Sequence, residues 1–420
     1  MIDIENEQIM KYERVNVFCL VYLSAWALLP QFAYYTSGTI FKMIYGAITI
    51  VWIITGIANI KRKYIKYIFS MLCFFGIMLL YSLLEYGNLR LVDFINYILL
   101  FGIGINSSLY VTRISIKRRD KLKIFLLACI TITMSTTLIT LIDNPNAARA
   151  LTSSSTNEDI IAALTKSNVG AFDFIYGIII LFPTIILLLE RNKKIKIKLV
   201  YIIISILIIV CLIKSNFTTG YLLFCVEIML IVFPKSKSWK AKIMSIAAIM
   251  LILILGPYII RSYLSFLSST TTSIYSKEKI EAILGVFNGT SEISETTGRI
   301  NLMKQDLVSF FENPIFGVGA YYGVASGQSI GQHSQLLDEL ARYGLFGAIP
   351  LFYFIYGCIK ILWCVLNSKE NRYDLFIPTV IFLALSILNP VFNNGILMCY
   401  FIVAPIILGG ENKNENMLYT

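Results

Sequence analysis

The sequence predicts an all-α polytopic membrane protein with about twelve transmembrane helices. Apolar residue types make up 57 % of the 420 residues and charged types only 15 %, where soluble domains average about 45–50 % and about 25 %. The apolar residues come in continuous runs close to the ~20 residues that a bilayer-spanning helix needs, without the alternation of an outer-membrane barrel strand. Every second connection between runs is basic, as in Lys61-Arg62-Lys63, Lys117-Arg118-Arg119 and Lys193-Lys194. Together these features exclude a soluble enzyme, a secreted disulfide scaffold, a disordered chain and a barrel.

The elements follow in order. Residues 1–14 are polar and of mixed sign, and no small-residue cleavage site follows, so they read as a cytoplasmic tail before a retained first helix. Apolar runs near 15–35, 39–60, 67–86, 91–111, 124–142, 169–189, 199–213, 217–233 and 243–260 give helices one to nine within residues 15–260, with an outer loop near 143–168. The 199–213 and 217–233 runs are short for a bilayer. Residues 261–342 form the one long polar stretch, a large extracytoplasmic loop expected to hold the chemistry. Runs at 343–366, 375–390 and 394–409 give helices ten to twelve, and 410–420 form a second cytoplasmic tail.

The formal net charge is +11. A basic soluble protein would suggest nucleic acid, but here 24 of the 36 Lys and Arg fall in alternate connections. That is the pattern of basic cytoplasmic loops with both termini inside, and no nucleic-acid partner is needed. The long outer loop carries eight acids against six bases, so any arginine used there acts by its placement. All eight cysteines fall within apolar runs and read as small buried hydrophobes rather than disulfides or metal ligands.

The long loop has order of its own. Thr296 or Thr297 can cap a helix starting near Arg299, on which Ile300, Met303, Leu307, Phe310 and Phe311 recur at helical spacing. Asn313-Pro314 ends it, and Gly317 and Gly319 follow in a flexible turn. A Gly/Ser-rich stretch, 322–331, leads to a second amphipathic helix from His333 to Arg342 with Leu336, Leu337 and Leu340 as its apolar face. Two such helices around a glycine turn suit a lid over a lipid-borne substrate.

Few residues there can carry chemistry. His333 is the only histidine of the chain, and imidazole is well placed to accept a proton near neutral pH. Arg299, at the expected helix start, can face an anion together with the helix N-terminus. Arg149 lies in the other outer loop, while Lys214 and Arg261 sit at outer helix ends, so all three are candidates to embrace a diphosphate or to snorkel. Asp173 and Tyr176 lie about one turn apart near the outer end of the sixth run, where an acid is costly unless paired or wet. Glu227 and Glu85 suggest no role. No metal-ligand cluster, nucleotide loop or nucleophile-elbow motif is present, and no cofactor is expected.

Taken in order, Thr297-Gly-Arg299, a short helix, Asn313-Pro-Ile-Phe-Gly-Val-Gly319, His333-Ser334 and Tyr343-Gly-Leu-Phe-Gly347 resemble the signature of the O-antigen ligase/polymerase superfamily, with eleven residues from His333 to Gly344. The chain looks most like the polysaccharide repeat-unit polymerases. It departs where many members have His-Asn, here His333-Ser334, and where many carry an acid two residues before the closing glycine, here Arg342. The resemblance implies a helical bundle like that of C-type glycosyltransferases. It implies transfer of a growing glycan from a polyprenyl diphosphate to a hydroxyl of a second lipid-linked repeat unit, at the outer face of the cytoplasmic membrane. The implied partners are those two lipid-linked oligosaccharides, the bilayer and a chain-length regulator protein. Arg299 would hold the diphosphate with Arg149 assisting, and His333 would orient or deprotonate the acceptor. A ligase-type transferase uses the same chemistry on another acceptor. A lipid-linked oligosaccharide flippase is the alternative without covalent chemistry.

Overall fold

A computed structural model describes residues 10–84, 91–152, 156–215, 217–232, 262–263, 265–269, 277, 294–319, 333–366 and 374–409. These residues are almost entirely helical, with no strand among them. The reason is physical: in lipid a peptide group can only bond within its own segment or to a protein neighbour. The first part of the chain forms α1 (Glu13–Leu28), α2 (Pro30–Tyr35), α3 (Thr39–Ile57), α4 (Ile65–Leu84), α5 (Leu91–Asn106), α6 (Leu109–Thr112) and α7 (Ile116–Asp143). Then come α8 (Ala147–Ala150), α9 (Glu158–Lys166), α10 (Phe172–Arg191), α11 (Ile195–Ser215) and α12 (Thr218–Val232). The last described elements are α13 (Ser294–Glu312), α14 (Gln335–Leu366), α15 (Phe376–Leu388) and α16 (Asn394–Leu408).

Seven of these helices are long and apolar enough to cross a bilayer, and α12, α15 and α16 are shorter apolar helices. The chain is thus an all-helical membrane protein, while the expected count of twelve is not established. The ninth run, 243–260, lies outside the described residues, as does Glu85. The short 199–213 run becomes long enough to cross a bilayer, because α11 recruits Ile195–Lys198 and continues to Ser215. The first run divides at Leu29, which is extended (φ −120°, ψ 92°) because the residue before a proline is pushed out of the helical region. Pro30 then opens α2, where its missing N–H costs nothing.

Contacts between helix ends show which ends share a membrane face. Glu13 pairs with Arg118, Lys11 N–H donates to Asn59 Oδ1 at 2.8 Å, and Met10 N–H donates to Arg113 O at 3.0 Å. Lys123 Nζ reaches Ile407 O at 3.4 Å. The beginning of α1, the α3–α4 turn, the residues before α7 and the end of α16 therefore lie together. The first described helix thus begins, and the last ends, at the same end of the bundle. Arg191, at the end of α10, pairs with Asp374 just before α15. Above this face a buried polar network ties α1, α3, α5 and α6: Asn16 Nδ2 donates to Thr55 and to Asn106 at 2.8 Å each, and Trp52 Nε1 donates to Tyr110 at 2.5 Å. Interhelical hydrogen bonds of this kind contribute roughly 0.6 kcal/mol each. Helices α10 and α16 form the centre: nearly all of α16 and most of α10 are buried.

Candidate active site

Of the polar residues that sequence singles out, Arg149, Asp173, Tyr176, Lys214 and His333 lie at the end of the bundle opposite the Glu13–Arg118 pair. On one side stands α8, whose Arg149 holds its guanidinium over the Phe217 ring, 5.8 Å from the centroid. Phe217 in turn meets the Tyr176 ring at 5.8 Å, and Tyr176 meets Phe172 at 4.9 Å. Tyr176 is 2 % exposed. Beside it, Asp173 Oδ2 accepts the Gly395 N–H at 3.2 Å and so caps the start of α16. A side chain at 395 would place a Cβ 2.8 Å from that oxygen, so the close approach requires glycine. Lys214 is exposed in the last turn of α11, which packs against α8. Arg149 and Tyr176 thus meet through the Phe217 ring, with Asp173 one turn before Tyr176. Arg261 lies outside the described residues.

Between α15 and α16 the chain is irregular, starting at Asn389 (φ −154°, ψ 161°). Gln335, in the first turn of α14, closes this break from the side opposite Asp173. Its Oε1 accepts the successive N–H groups of Val391 and Phe392, both at 3.1 Å, and its own N–H donates to Asn389 O at 3.3 Å. Ser334 caps α14, its Oγ accepting the Leu337 N–H at 3.3 Å. His333, partly buried, immediately precedes that cap. Serine and asparagine both serve as caps, so the serine that follows His333 keeps the capping capacity of the His-Asn pair that many members carry.

Two expectations about the loop helices need correction. Helix α13 begins at Ser294, five residues before Arg299, so Arg299 lies in the second turn and does not open the helix. Ser294, Thr296 and Thr297 are comparable cap formers, and an acid at Glu295 in the first turn suits the helix dipole, which favours the earlier start. The backbone of Arg299 is described and its side chain is not. The second correction concerns α14. Its buried face is the polar one: Gln335, Asp338, Glu339 and Arg342 are 8 %, 3 %, 0 % and 7 % exposed, while Leu336, Leu337 and Leu340 are only partly buried. The helix ends as expected at the other terminus of α13, where Glu312 precedes Asn313-Pro314.

The glycine motif is a clasp rather than a free turn. Val318 and Gly319 donate to Ala341 O and Arg342 O at 2.9 and 2.8 Å. Leu345 and Phe346 donate back to Pro314 O and Ile315 O at 2.8 and 2.9 Å. Gly317 and Gly319 have φ of 69° and 81°. Gly344 breaks α14 at φ 57°, ψ −164°, a region open essentially to glycine alone. A Cβ on Gly317 would lie 2.5 Å from Arg342 O, and one on Gly344 would lie 2.5 Å from Gly317 N. Tyr81 of α4 adds a hydrogen bond to Phe316 O at 2.5 Å. The clasp fixes the end of α13 against the helix that follows His333.

Sequence reasoning missed Gln335, Glu339 and Tyr97. Glu339 Oε1 accepts from Tyr97 of α5 and, at 2.6 Å, from Gln335 Nε2. The signal was present in the spacing, since 335, 338, 339 and 342 fall on one helical stripe. Among the described residues no group of three His, Cys, Asp or Glu could hold a metal ion.

Residues 203–352 match a family model described as O-antigen ligase. The matched segment runs from within α11 into α14, and it includes His333, the clasp and the polar stripe. Among curated proteins no match was found.

Proposed function

From the premise that this chain carries a domain of the O-antigen ligase/polymerase superfamily, a family of glycosyltransferase-like membrane enzymes, we propose that it polymerises lipid-linked oligosaccharide repeat units on the outer face of the cytoplasmic membrane. The carrying observation is that Arg149, linked through the Phe217 ring to Tyr176, and Asp173, which accepts from Gly395 beside the α15–α16 break, lie at the same end of the bundle as the turn that bears His333. All of it lies at one end of the bundle, where a lipid-borne diphosphate and its sugar would arrive.

In the proposed reaction the bond between the anomeric carbon and the diphosphate oxygen breaks. A new bond forms from that carbon to a hydroxyl oxygen of the second repeat unit. The diphosphate leaves with its polyprenyl chain, and its growing negative charge needs cationic donors already in place. Arg299 takes that role, with Arg149 and Lys214 as further cations, and Arg261 as another candidate from the sequence. A guanidinium binds such oxygens two at a time. His333 accepts the hydroxyl proton or orients it. Tyr176 and Asp173 border the sugar end. Holding two lipid-anchored sugars in line supplies much of the rate, because the encounter becomes effectively intramolecular.

The test is the lipid pool of cells carrying His333→Ala or Arg299→Ala. The polymerase reading expects single repeat units on lipid, already facing outward, with polymer lost. Finished polymer left on its lipid would instead support the ligase-type transfer that the family description suggests. Inward-facing units would support a flippase.

A further inference from the structure

We infer that Glu339 is a positioning residue for the proposed transfer, acting through Gln335 to fix the turn that carries His333 against the α15–α16 break. The inference rests on the function proposed above and adds a residue that the superfamily resemblance does not supply.

The argument starts from the cost of the arrangement. Helix α14 turns three ionisable side chains, Asp338, Glu339 and Arg342, away from its surroundings and into the protein. Burying charge is expensive, and at membrane depth such groups usually serve a function. Glu339 is 0 % exposed. One of its oxygens takes two donors, the Tyr97 hydroxyl and the Gln335 amide. Its other oxygen, Oε2, has no hydrogen-bond partner among the described residues. A carboxylate holding the Gln335 amide N–H forces that side chain's carbonyl to point the opposite way. There it receives the Val391 and Phe392 N–H groups, both at 3.1 Å. Without this orientation the amide could flip, and two buried peptide N–H groups would face an NH2, leaving donors unsatisfied.

The relay therefore runs from α5, through Tyr97, Glu339 and Gln335, to the backbone of the break. That break is the same one whose far side Asp173 caps through Gly395. His333 stands two residues before Gln335, with only the capping Ser334 between them. Anything that frees Gln335 lets the imidazole drift relative to the break, while the clasp at 314–319 still holds the helix that follows.

The experiment uses full-length protein in a deletion strain of its host, with membranes of that strain supplying the accumulated lipid-linked repeat units as probe. Glu339→Ala, Glu339→Gln and Tyr97→Phe are compared at equal amounts of membrane-inserted protein. Glu339→Ala is expected to lower the maximal rate of polymer formation at least tenfold while the half-saturating lipid concentration moves less than twofold. Glu339→Gln, whose carbonyl can still accept from Tyr97 and Gln335, is expected to recover to within threefold of the parent. Tyr97→Phe, which loses one of the two donors, is expected to fall between them. Wild-type rate in Glu339→Ala would overturn the inference and leave the proposed function standing. So would a Gln variant as inactive as the Ala variant, since a brace and not the charge is claimed. Failure of the parent chain itself to convert single units into polymer would instead sink the function on which the inference rests.

Discussion

The two ends of the bundle use polar residues in opposite ways. At the end holding the Glu13–Arg118 pair, neutral polar groups close on one another: Asn16, Thr55, Asn106, Trp52 and Tyr110 form a network across α1, α3, α5 and α6. The other end has Gly344 interrupting α14, Gly317 and Gly319 at positive φ, and buried polar atoms of Glu339, Asn389 and Asn394 without a hydrogen-bond partner among the described residues; the first end has fewer such features, Tyr12 at φ 59° and the Arg119 Nε. The first arrangement specifies packing. The second costs stability, and such cost persists where strain and unsatisfied groups serve the chemistry. The comparison teaches where to look for the reaction without reference to any motif.

The contrast breaks most sharply on the proposed reacting groups. His333→Ala and Arg299→Ala are each expected to reduce polymer formation about 100-fold or more, the usual span for loss of a general base or a charge-stabilising donor. Protein level in the membrane is expected to stay within twofold, which quantitative immunoblotting checks. Polymer yield near normal in either variant would remove that residue from the mechanism.

The clasp sharpens the comparison next. Gly344→Ala puts a Cβ 2.5 Å from Gly317 N at a φ of 57°. It is expected to cost about 1–3 kcal/mol of backbone strain in addition to the clash, and to abolish polymer formation. Gly46→Ala, where a Cβ meets nothing within 4 Å, is expected to stay within about 0.5 kcal/mol of the parent. Thermal unfolding of the detergent-solubilised pair reads the difference, and equal midpoints would show the clasp to be incidental.

Smaller effects follow. Phe217→Leu removes the ring beneath Arg149, a contact expected to contribute about 0.5–2 kcal/mol. A several-fold rise in half-saturating lipid concentration is expected, measured on membranes bearing the accumulated repeat units. The smallest effect belongs to the opposite end. Thr55→Val breaks one bond of the closed network, and about 0.6 kcal/mol of stability is expected to go with activity per folded molecule unchanged. A drop in specific activity from Thr55→Val would erase the division between the two ends.

Much of the fold was legible because the bilayer leaves the backbone few options. Continuous apolar runs had to become helices, Pro30 had to divide the first of them, and Asn313-Pro314 had to end α13. The site was legible only in part. His333 and Arg149 stood out by residue type and by their place in outer loops. The inward face of α14 did not, because apolar periodicity was read as though water lay outside. Next to lipid the rule inverts, and Leu336, Leu337 and Leu340 sit on the less buried face while Glu339 and Arg342 turn inward. The start of α13 was misplaced because three capping residues compete within four positions. The clasp was hidden for another reason. Glycine suggests freedom in a sequence, whereas Gly317 and Gly344 permit contact between two backbones.

The most direct test is an experimental structure of the protein with a polyprenyl diphosphate bound. The account expects the diphosphate at the end opposite the Glu13–Arg118 pair, with the Arg299 guanidinium on its oxygens and the His333 imidazole facing the same hollow. A diphosphate seated at the Glu13–Arg118 end, or these two side chains on separate surfaces, would contradict it.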